Sequence, residues 1–169
     1  MEINEYRKDY LENVKMLAAA ESEGTVSTFV NTVLDDLQDL NVISDFELCY
    51  AFGRYGRRNY RVDAYSFDDY DYSMSIFIAD FDGEDNSRTL TKTEANVLFE
   101  RIYTFLDGCL FGNFRYEIEI STPAYDLVER ILQLRSTIRK YKFFIITDKT
   151  MSEKISSFTQ GDLDGVPSE

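Results

Sequence analysis

The chain has 169 residues, with 18 Lys and Arg against 31 Asp and Glu, so its formal net charge is −13. This length is typical of a single domain, and an apolar content of 44% is enough to build its core without a disulfide or a metal staple. The sequence contains no histidine, which excludes Ser-His-Asp and Cys-His nucleophile pairs and histidine metal ligands. Any catalysis would depend on carboxylates with a divalent metal, or on Lys, Tyr or Cys.

Compartment and partners are constrained by the same composition. Cys49 and Cys109 lie far apart in apolar surroundings without CxxC spacing, which predicts buried, reduced thiols. The polar start of the chain does not resemble a signal peptide, and no apolar run approaches the roughly 20 residues of a membrane span. We therefore expect a cytoplasmic protein without membrane contact. The acidic charge disfavours nucleic acid unless a local basic patch or metal ions overcome it.

Two amphipathic helices are predicted at the start of the chain. Apolar residues at three- and four-residue spacing predict a helix over residues 3–20, closed by Gly24. The same spacing predicts a second helix that ends near Leu40, with Thr25 or Ser27 as its cap. The two helices together predict a hairpin.

Three strands follow, over residues 46–52, 60–67 and 73–81, with turns at 53–58 and 68–72. Short turns between strands are typical of an antiparallel meander. The third strand is apolar on both faces, which predicts burial. In the second strand, alternation predicts one face with Tyr60, Val62 and Ala64 and an opposite face with Arg61, Asp63 and Tyr65.

Two more helices and one strand complete the domain. Thr91 and Glu94 form a capping box that predicts a helix to about residue 110, and Thr122-Pro123 begins a helix predicted to reach Arg139. Residues 143–146 (FFII) predict a buried strand parallel to a neighbour. One helical turn is predicted over 151–156.

The element order predicts an α/β domain over residues 1–158 and a flexible tail over 159–169. Its mixed sheet would contain about four strands, an antiparallel meander plus one later strand, with helices on both sides.

This is the element order of restriction-endonuclease-like nucleases. Their metal site needs an Asp on the second strand and an acid-x-Lys on the third, because two carboxylates hold Mg²⁺ on the scissile phosphate while Lys helps to activate water. Asp63 and Asp80 are the candidate catalytic residues and Mg²⁺ ligands, although Asp82 stands where the Lys is expected. The alternative is that both acids are solvated strand ends.

Four arginines fall within eight residues of this acidic chain, namely Arg54, Arg57, Arg58 and Arg61. They could hold a nucleic-acid phosphate near Asp63. The alternative is a solubilising hairpin whose arginines pair with acids of the 68–71 turn. Tyr65, Tyr70 and Tyr72 could stack on bases, but packing on the sheet is the more common role of tyrosine.

Several segments together resemble the N-terminal region of the abortive infection phage resistance (AIPR) family. They are RVDAYSFDDYDYSMSIFIADFDG, TLTKTEANVLFERIYTFL, PAYDLVERILQLRSTIRKYKFFIITD and GDLDGVP. The resemblance spans about residues 6–167. It implies a restriction-endonuclease-like domain with an Asp on the second strand, which Asp63 matches, and a Gln- or Glu-x-Lys on the third. The third strand departs, because Asp80 is not followed by that Lys.

Two hypotheses follow. The first is a nuclease-like domain of an anti-phage protein, in which Asp63 and Asp80 bind Mg²⁺ and Arg57, Arg58 and Arg61 contact the phosphates of DNA or RNA. The second is a catalytically inactive sensing or oligomerisation module that binds protein partners. Members of the family are usually longer, so those partners include a C-terminal region absent from this chain or a second copy of the chain.

Overall fold

The computed structural model describes residues 2–153 and 163–169. Its elements, in chain order, are α1 (Ile3–Glu21), α2 (Thr25–Asp39), β1 (Phe46–Tyr55), β2 (Arg58–Asp68), β3 (Ser73–Asp80), β4 (Thr89–Leu90), α3 (Lys92–Phe111), α4 (Phe114–Glu117), α5 (Pro123–Leu134), β5 (Lys140–Thr147) and β6 (Thr150–Met151). None of the described helices is long and apolar enough to cross a membrane.

The main sheet has the strand order β1-β2-β3-β5. The strands β1, β2 and β3 pair antiparallel, and β5 lies parallel to β3 from Ser73↔Lys140 to Asp80↔Thr147. This confirms the predicted α/β class with a mixed four-stranded sheet. The short strands β4 and β6 form a separate parallel pair that the sequence pattern did not reveal.

Helices cover both faces of the sheet. On one face, Met74, Ile76 and Ile78 of β3 pack with residues of α3 and α5. On the other face, Phe77 and Ala79 pack with residues of α1 and α2. Side chains alternate along a strand, so a central strand covered on both faces is apolar throughout.

Of the predicted N-terminal helix caps, the one of α3 is present and the one of α2 is not. The Thr91 side chain accepts a hydrogen bond from the Glu94 N–H, and the Glu94 carboxylate accepts one from the Thr91 N–H, which confirms the capping box. Gly24, rather than Thr25 or Ser27, is the residue before α2, and no side chain caps that helix. The predicted cap at Thr25 or Ser27 is therefore wrong.

The helix α5 ends earlier than predicted. It stops at Leu134 instead of continuing to Arg139, because the chain must turn to place β5 beside β3. The N–H of Arg139 donates to the carbonyl of Tyr72 over 2.9 Å, which begins this pairing before Lys140. The predicted end of this helix at Arg139 is therefore wrong.

The first hairpin is longer than predicted. β1 continues through Gly53 to Tyr55, which pairs with Arg58, so Gly56 and Arg57 form a two-residue turn. Gly56 has a φ of +63°, a conformation that glycine adopts without steric cost.

A register shift changes the faces of β2. The pairing of β1 with β2 slips between Leu48 and Ala51. As a result, Val62 and Tyr65 pack with the α3 and α5 side, whereas Ala64 packs with the α1 and α2 side. The predicted faces of β2, with Tyr60, Val62 and Ala64 on one side, are wrong at Ala64 and at Tyr65, because at the slip two residues of β1 oppose one residue of β2 and interrupt the alternation of side chains.

The end of the chain lies against the free edge of β5. Tyr141 N–H donates to the Pro167 carbonyl over 3.0 Å, and Phe143 N–H donates to a Glu169 main-chain oxygen over 2.8 Å. Of the predicted tail, residues 159–162 lie outside the described residues, while residues 163–169 make these contacts. Of the predicted helical turn over 151–156, Met151 lies in β6 and residues 154–156 are outside the described residues.

Candidate functional site

The carboxylate of Asp63 accepts hydrogen bonds from residues of β2 and β3. Arg61 donates to it through Nε and Nη2, each over 3.0 Å, and the N–H of Ala79 donates to Oδ2 over 2.8 Å. Main-chain pairing of β2 with β3 starts only at Ala64↔Phe77. The Asp63 side chain therefore takes the place of a main-chain acceptor for the N–H of Ala79. Asp63 is only 5% exposed.

Asp63 lies at a recess beneath the start of α2. The recess has a volume of about 460 Å³ and is lined by Gly24, Val26, Ser27, Val30, Leu48, Tyr50, Arg61 and Asp63. The β3 residues that pack on this face are the apolar Phe77 and Ala79. A second carboxylate and a lysine therefore do not come from β3 at this place.

Asp80 occupies a different position at the end of β3. Since Ile78 packs towards α3, Asp80, two residues later, faces the same side, opposite to Asp63. Lys149 Nζ lies 3.0 Å from Asp80 Oδ2, and the Thr147 hydroxyl donates to the same oxygen over 3.2 Å. Burial opposes the charge on Lys149, but the hydrogen bond and the negative charge of Asp80 raise its pKa above the usual value.

The two predicted metal ligands are thus not brought together. Asp63 is paired with Arg61 on one face, and Asp80 is paired with Lys149 on the other. Among residues 2–153 and 163–169, no group of three or more Cys, Asp and Glu side chains is placed to hold a metal ion. This arrangement does not fit a single Mg²⁺ shared by Asp63 and Asp80, and metal binding by either carboxylate stays a prediction.

The arginines of the first hairpin separate onto different surfaces. Arg58 pairs with Asp107 of α3, and Arg61 pairs with Asp63. Arg54 and Arg57 are exposed. Neither Arg58 nor Arg61 therefore pairs with the acids of the 68–71 turn, where Asp71 instead binds Ser73 and Lys142.

The tyrosines considered for base stacking also take separate positions. Tyr65 packs against the core on the α3 side, and Tyr70 is 96% exposed in the turn after β2. Tyr72 has a positive φ of 57°. The guanidinium of Arg139 lies over the Tyr72 ring, 4.9 Å from the ring centre. They do not form one stacking surface.

The cysteines belong to the core, as predicted. Both are free and buried. Burial raises the pKa of each thiol well above its usual value, and a protonated thiol is a poor nucleophile.

Sequence reasoning missed a buried polar centre at Asp148. Its carboxylate accepts hydrogen bonds from the main-chain N–H groups of Asp82 and Gly83, over 2.7 and 2.9 Å. It also pairs with Arg7 Nη2 over 2.8 Å, and Arg7 Nε donates to the Asp148 carbonyl over 2.6 Å. This centre joins α1 to the ends of β3 and β5. No local signal could have found it, because Arg7 and Asp148 are 141 positions apart.

Comparison with known proteins identifies one family. The model of the abortive infection phage resistance protein N-terminal domain matches residues 29–169, which is most of the chain. No curated protein and no solved structure matches the chain. The chain therefore belongs to the family of abortive infection phage resistance proteins and carries their N-terminal domain.

Proposed function

We propose that this domain works as a non-hydrolytic binding module of an anti-phage protein. The observation that carries the proposal is the engagement of Asp63, whose two carboxylate oxygens accept three hydrogen bonds from Arg61 and Ala79. A cation at Asp63 would have to displace a guanidinium that already neutralises the carboxylate in a mostly buried place. Such an exchange gives up charge-assisted hydrogen bonds, which are among the stronger ones in proteins.

The surroundings of Asp63 support the same function. A carboxylate-based hydrolytic site needs a second acid for the metal and a base that activates water. On this face of the sheet, β3 offers Phe77 and Ala79. Asp63 is thus best explained as part of the packing of β2 against β3.

The test is a titration of Mn²⁺ into wild type, Asp63→Ala and Asp80→Ala, with plasmid and RNA cleavage assays in the same buffer. We expect no cleavage and no Mn²⁺ binding that depends on Asp63. Mn²⁺ binding that disappears in Asp63→Ala, together with cleavage by the wild type, would contradict the proposal and make the protein a nuclease.

A second candidate function rests on the pair formed by Asp80 and Lys149. The two side chains come from the carboxyl ends of neighbouring parallel strands, and Lys149 is 13% exposed. An acid and a lysine are the pair that the restriction-endonuclease-like resemblance implies for the third strand, where the carboxylate would hold the metal and the lysine would help to activate water. Cleavage that is lost in both Asp80→Asn and Lys149→Met would favour this candidate, whereas a wild-type protein without cleavage would eliminate it.

The second hypothesis also includes association of the module with a second copy of the chain. Self-association is checked by sedimentation velocity of wild type beside Asp63→Ala. We expect the same oligomeric state for both proteins, since Asp63 contributes within one chain. An oligomeric state of Asp63→Ala that differs from that of wild type would show that the Asp63 region forms the contact between copies.

A further inference from the structure

The outer part of the first hairpin leaves two aromatic side chains uncovered. Tyr50 and Phe52 of β1 are 59% and 68% exposed, on the face of the sheet that bears α1 and α2. Their rings are stacked, with centroids 5.6 Å apart and an interplanar angle of 30°. Burying such rings is favourable, so this exposed pair offers binding energy to a flat partner.

Basic side chains lie on the same hairpin as this aromatic pair. Arg61 lies opposite Phe52 in the ladder, and its guanidinium is 5.3 Å from the centre of the Tyr50 ring. Arg54 is exposed two residues after Phe52, and Arg57 is exposed at the turn. Within residues 2–153 and 163–169, no carboxylate forms an ion pair with Arg54 or Arg57. We call this set of five residues, Tyr50, Phe52, Arg54, Arg57 and Arg61, the hairpin platform.

The charge of the platform contrasts with the rest of the molecule. The chain as a whole carries −13, so the exposed Arg54 and Arg57 form a local exception, while Asp63 balances the charge of Arg61. An acidic molecule repels a polyanion in general but can guide it to such a basic surface. The platform is therefore complementary to an anionic partner that also presents flat rings.

We propose that the hairpin platform binds single-stranded nucleic acid. Bases stack on Tyr50 and Phe52, while Arg54 and Arg57 contact the phosphates, an arrangement that suits strands with exposed base faces. The recess of about 460 Å³ beside Tyr50 and Arg61 gives an adjoining nucleotide a place to enter. A duplex is disfavoured, since its base faces are already stacked. This inference rests on the proposed binding function and names its partner; it requires neither metal nor cleavage.

The test measures the fluorescence anisotropy of a labelled oligothymidylate at low salt in EDTA. We expect wild type to bind, and Tyr50→Ala with Phe52→Ala to weaken binding by about fivefold or more, the effect of losing stacking on one or two bases. Tyr50→Phe should retain binding because it keeps the ring. The matched control is Tyr70→Ala with Tyr116→Ala, which removes two tyrosines that are 96% and 84% exposed outside the platform.

Charge is tested separately from stacking. Arg54→Glu should weaken binding and reduce the slope of log affinity against log salt by about one. Lys8→Glu on α1 makes the same change in charge away from the platform and should leave the slope nearly unchanged. Circular dichroism melting checks that each variant is folded.

Three results would overturn the inference. They are no binding by wild type at low salt, equal weakening by the platform and control variants, and equal affinity for duplex and single strand. The binding measurement is made in EDTA and needs no divalent metal. Cleavage of nucleic acid in a separate assay with metal would therefore refute the proposed non-hydrolytic function and leave the binding result unchanged.

Discussion

Asp63 and Asp80 are both neutralised by basic residues close to them in space. Arg61 is two positions from Asp63 in sequence, whereas Lys149 is 69 positions from Asp80. The first pair can be suspected from the RVD motif, since residues two apart share a strand face. The second pair depends on the parallel pairing of β3 with β5, which no local pattern specifies.

The Asp148 centre leads to a prediction on stability. Asp148→Ala removes the carboxylate that pairs with Arg7 Nη2 and accepts from two main-chain N–H groups, in a place where the Asp148 and Arg7 side chains are 2% and 12% exposed. Breaking a buried pair from one side costs about 3 kcal/mol. We expect urea unfolding to show a loss of this size.

Asp69→Ala is the control for this loss, because Asp69 is exposed in the turn after β2. It should change the free energy of unfolding by less than about 0.5 kcal/mol. A similarly small effect of Asp148→Ala would contradict the view that this centre holds α1 to the sheet.

At the scale of elements, α3 and α4 approach each other through a glycine. A Cβ atom added at Gly108 would lie 2.4 Å from the ring of Phe114, which is buried in the core. We expect Gly108→Ala to destabilise the protein by about 1 to 3 kcal/mol, although alanine favours a helix by about 1 kcal/mol over glycine. Thermal and urea unfolding measure this change.

A double-mutant cycle separates the clash from other effects. Phe114→Leu removes the ring, so Gly108→Ala should cost much less in that background. Additive effects of the two substitutions would show that the close approach is not the cause.

The turn between β2 and β3 leads to a prediction on pH dependence. Hydrogen bonds from the Ser73 hydroxyl and from Lys142, which lies on β5, lower the pKa of Asp71 from 3.8 to about 2. A lowered folded pKa stabilises the protein above the unfolded value, and this contribution disappears as the pH falls from about 4 to 2. We therefore expect the melting temperature of wild type to fall more over this interval than that of Asp71→Asn. Equal falls would exclude a contribution from Asp71.

At the scale of the whole molecule, the charge of −13 predicts a response to salt. Like charges repel within the folded chain, and salt shortens the screening length from about 30 Å at 0.01 M to about 8 Å at 0.15 M. We expect the melting temperature to rise over this interval when it is followed by circular dichroism. A fall would mean that ion pairs such as Arg7 with Asp148 contribute more than the general repulsion.

Local patterns account for most of the architecture. Apolar periodicity predicted α1, α2 and the four main strands, and the Thr91 capping box and Thr122-Pro123 predicted the starts of α3 and α5. These features depend on residues a few positions apart, so the sequence by itself contains them. The composition also excluded every mechanism that needs histidine, and the buried thiols followed from their apolar surroundings.

The faces of the sheet were decided by the tertiary structure. The slip between Leu48 and Ala51 moves Ala64 away from the face of Val62, and the place of β5 brings Lys149, rather than a residue of β3, to Asp80. Asp63 and Asp80 therefore lie on opposite faces, although both were correctly placed on their strands. Sequence period determines which residues alternate, but strand register and the pairing of distant segments determine which side chains meet, because those depend on packing against the whole core.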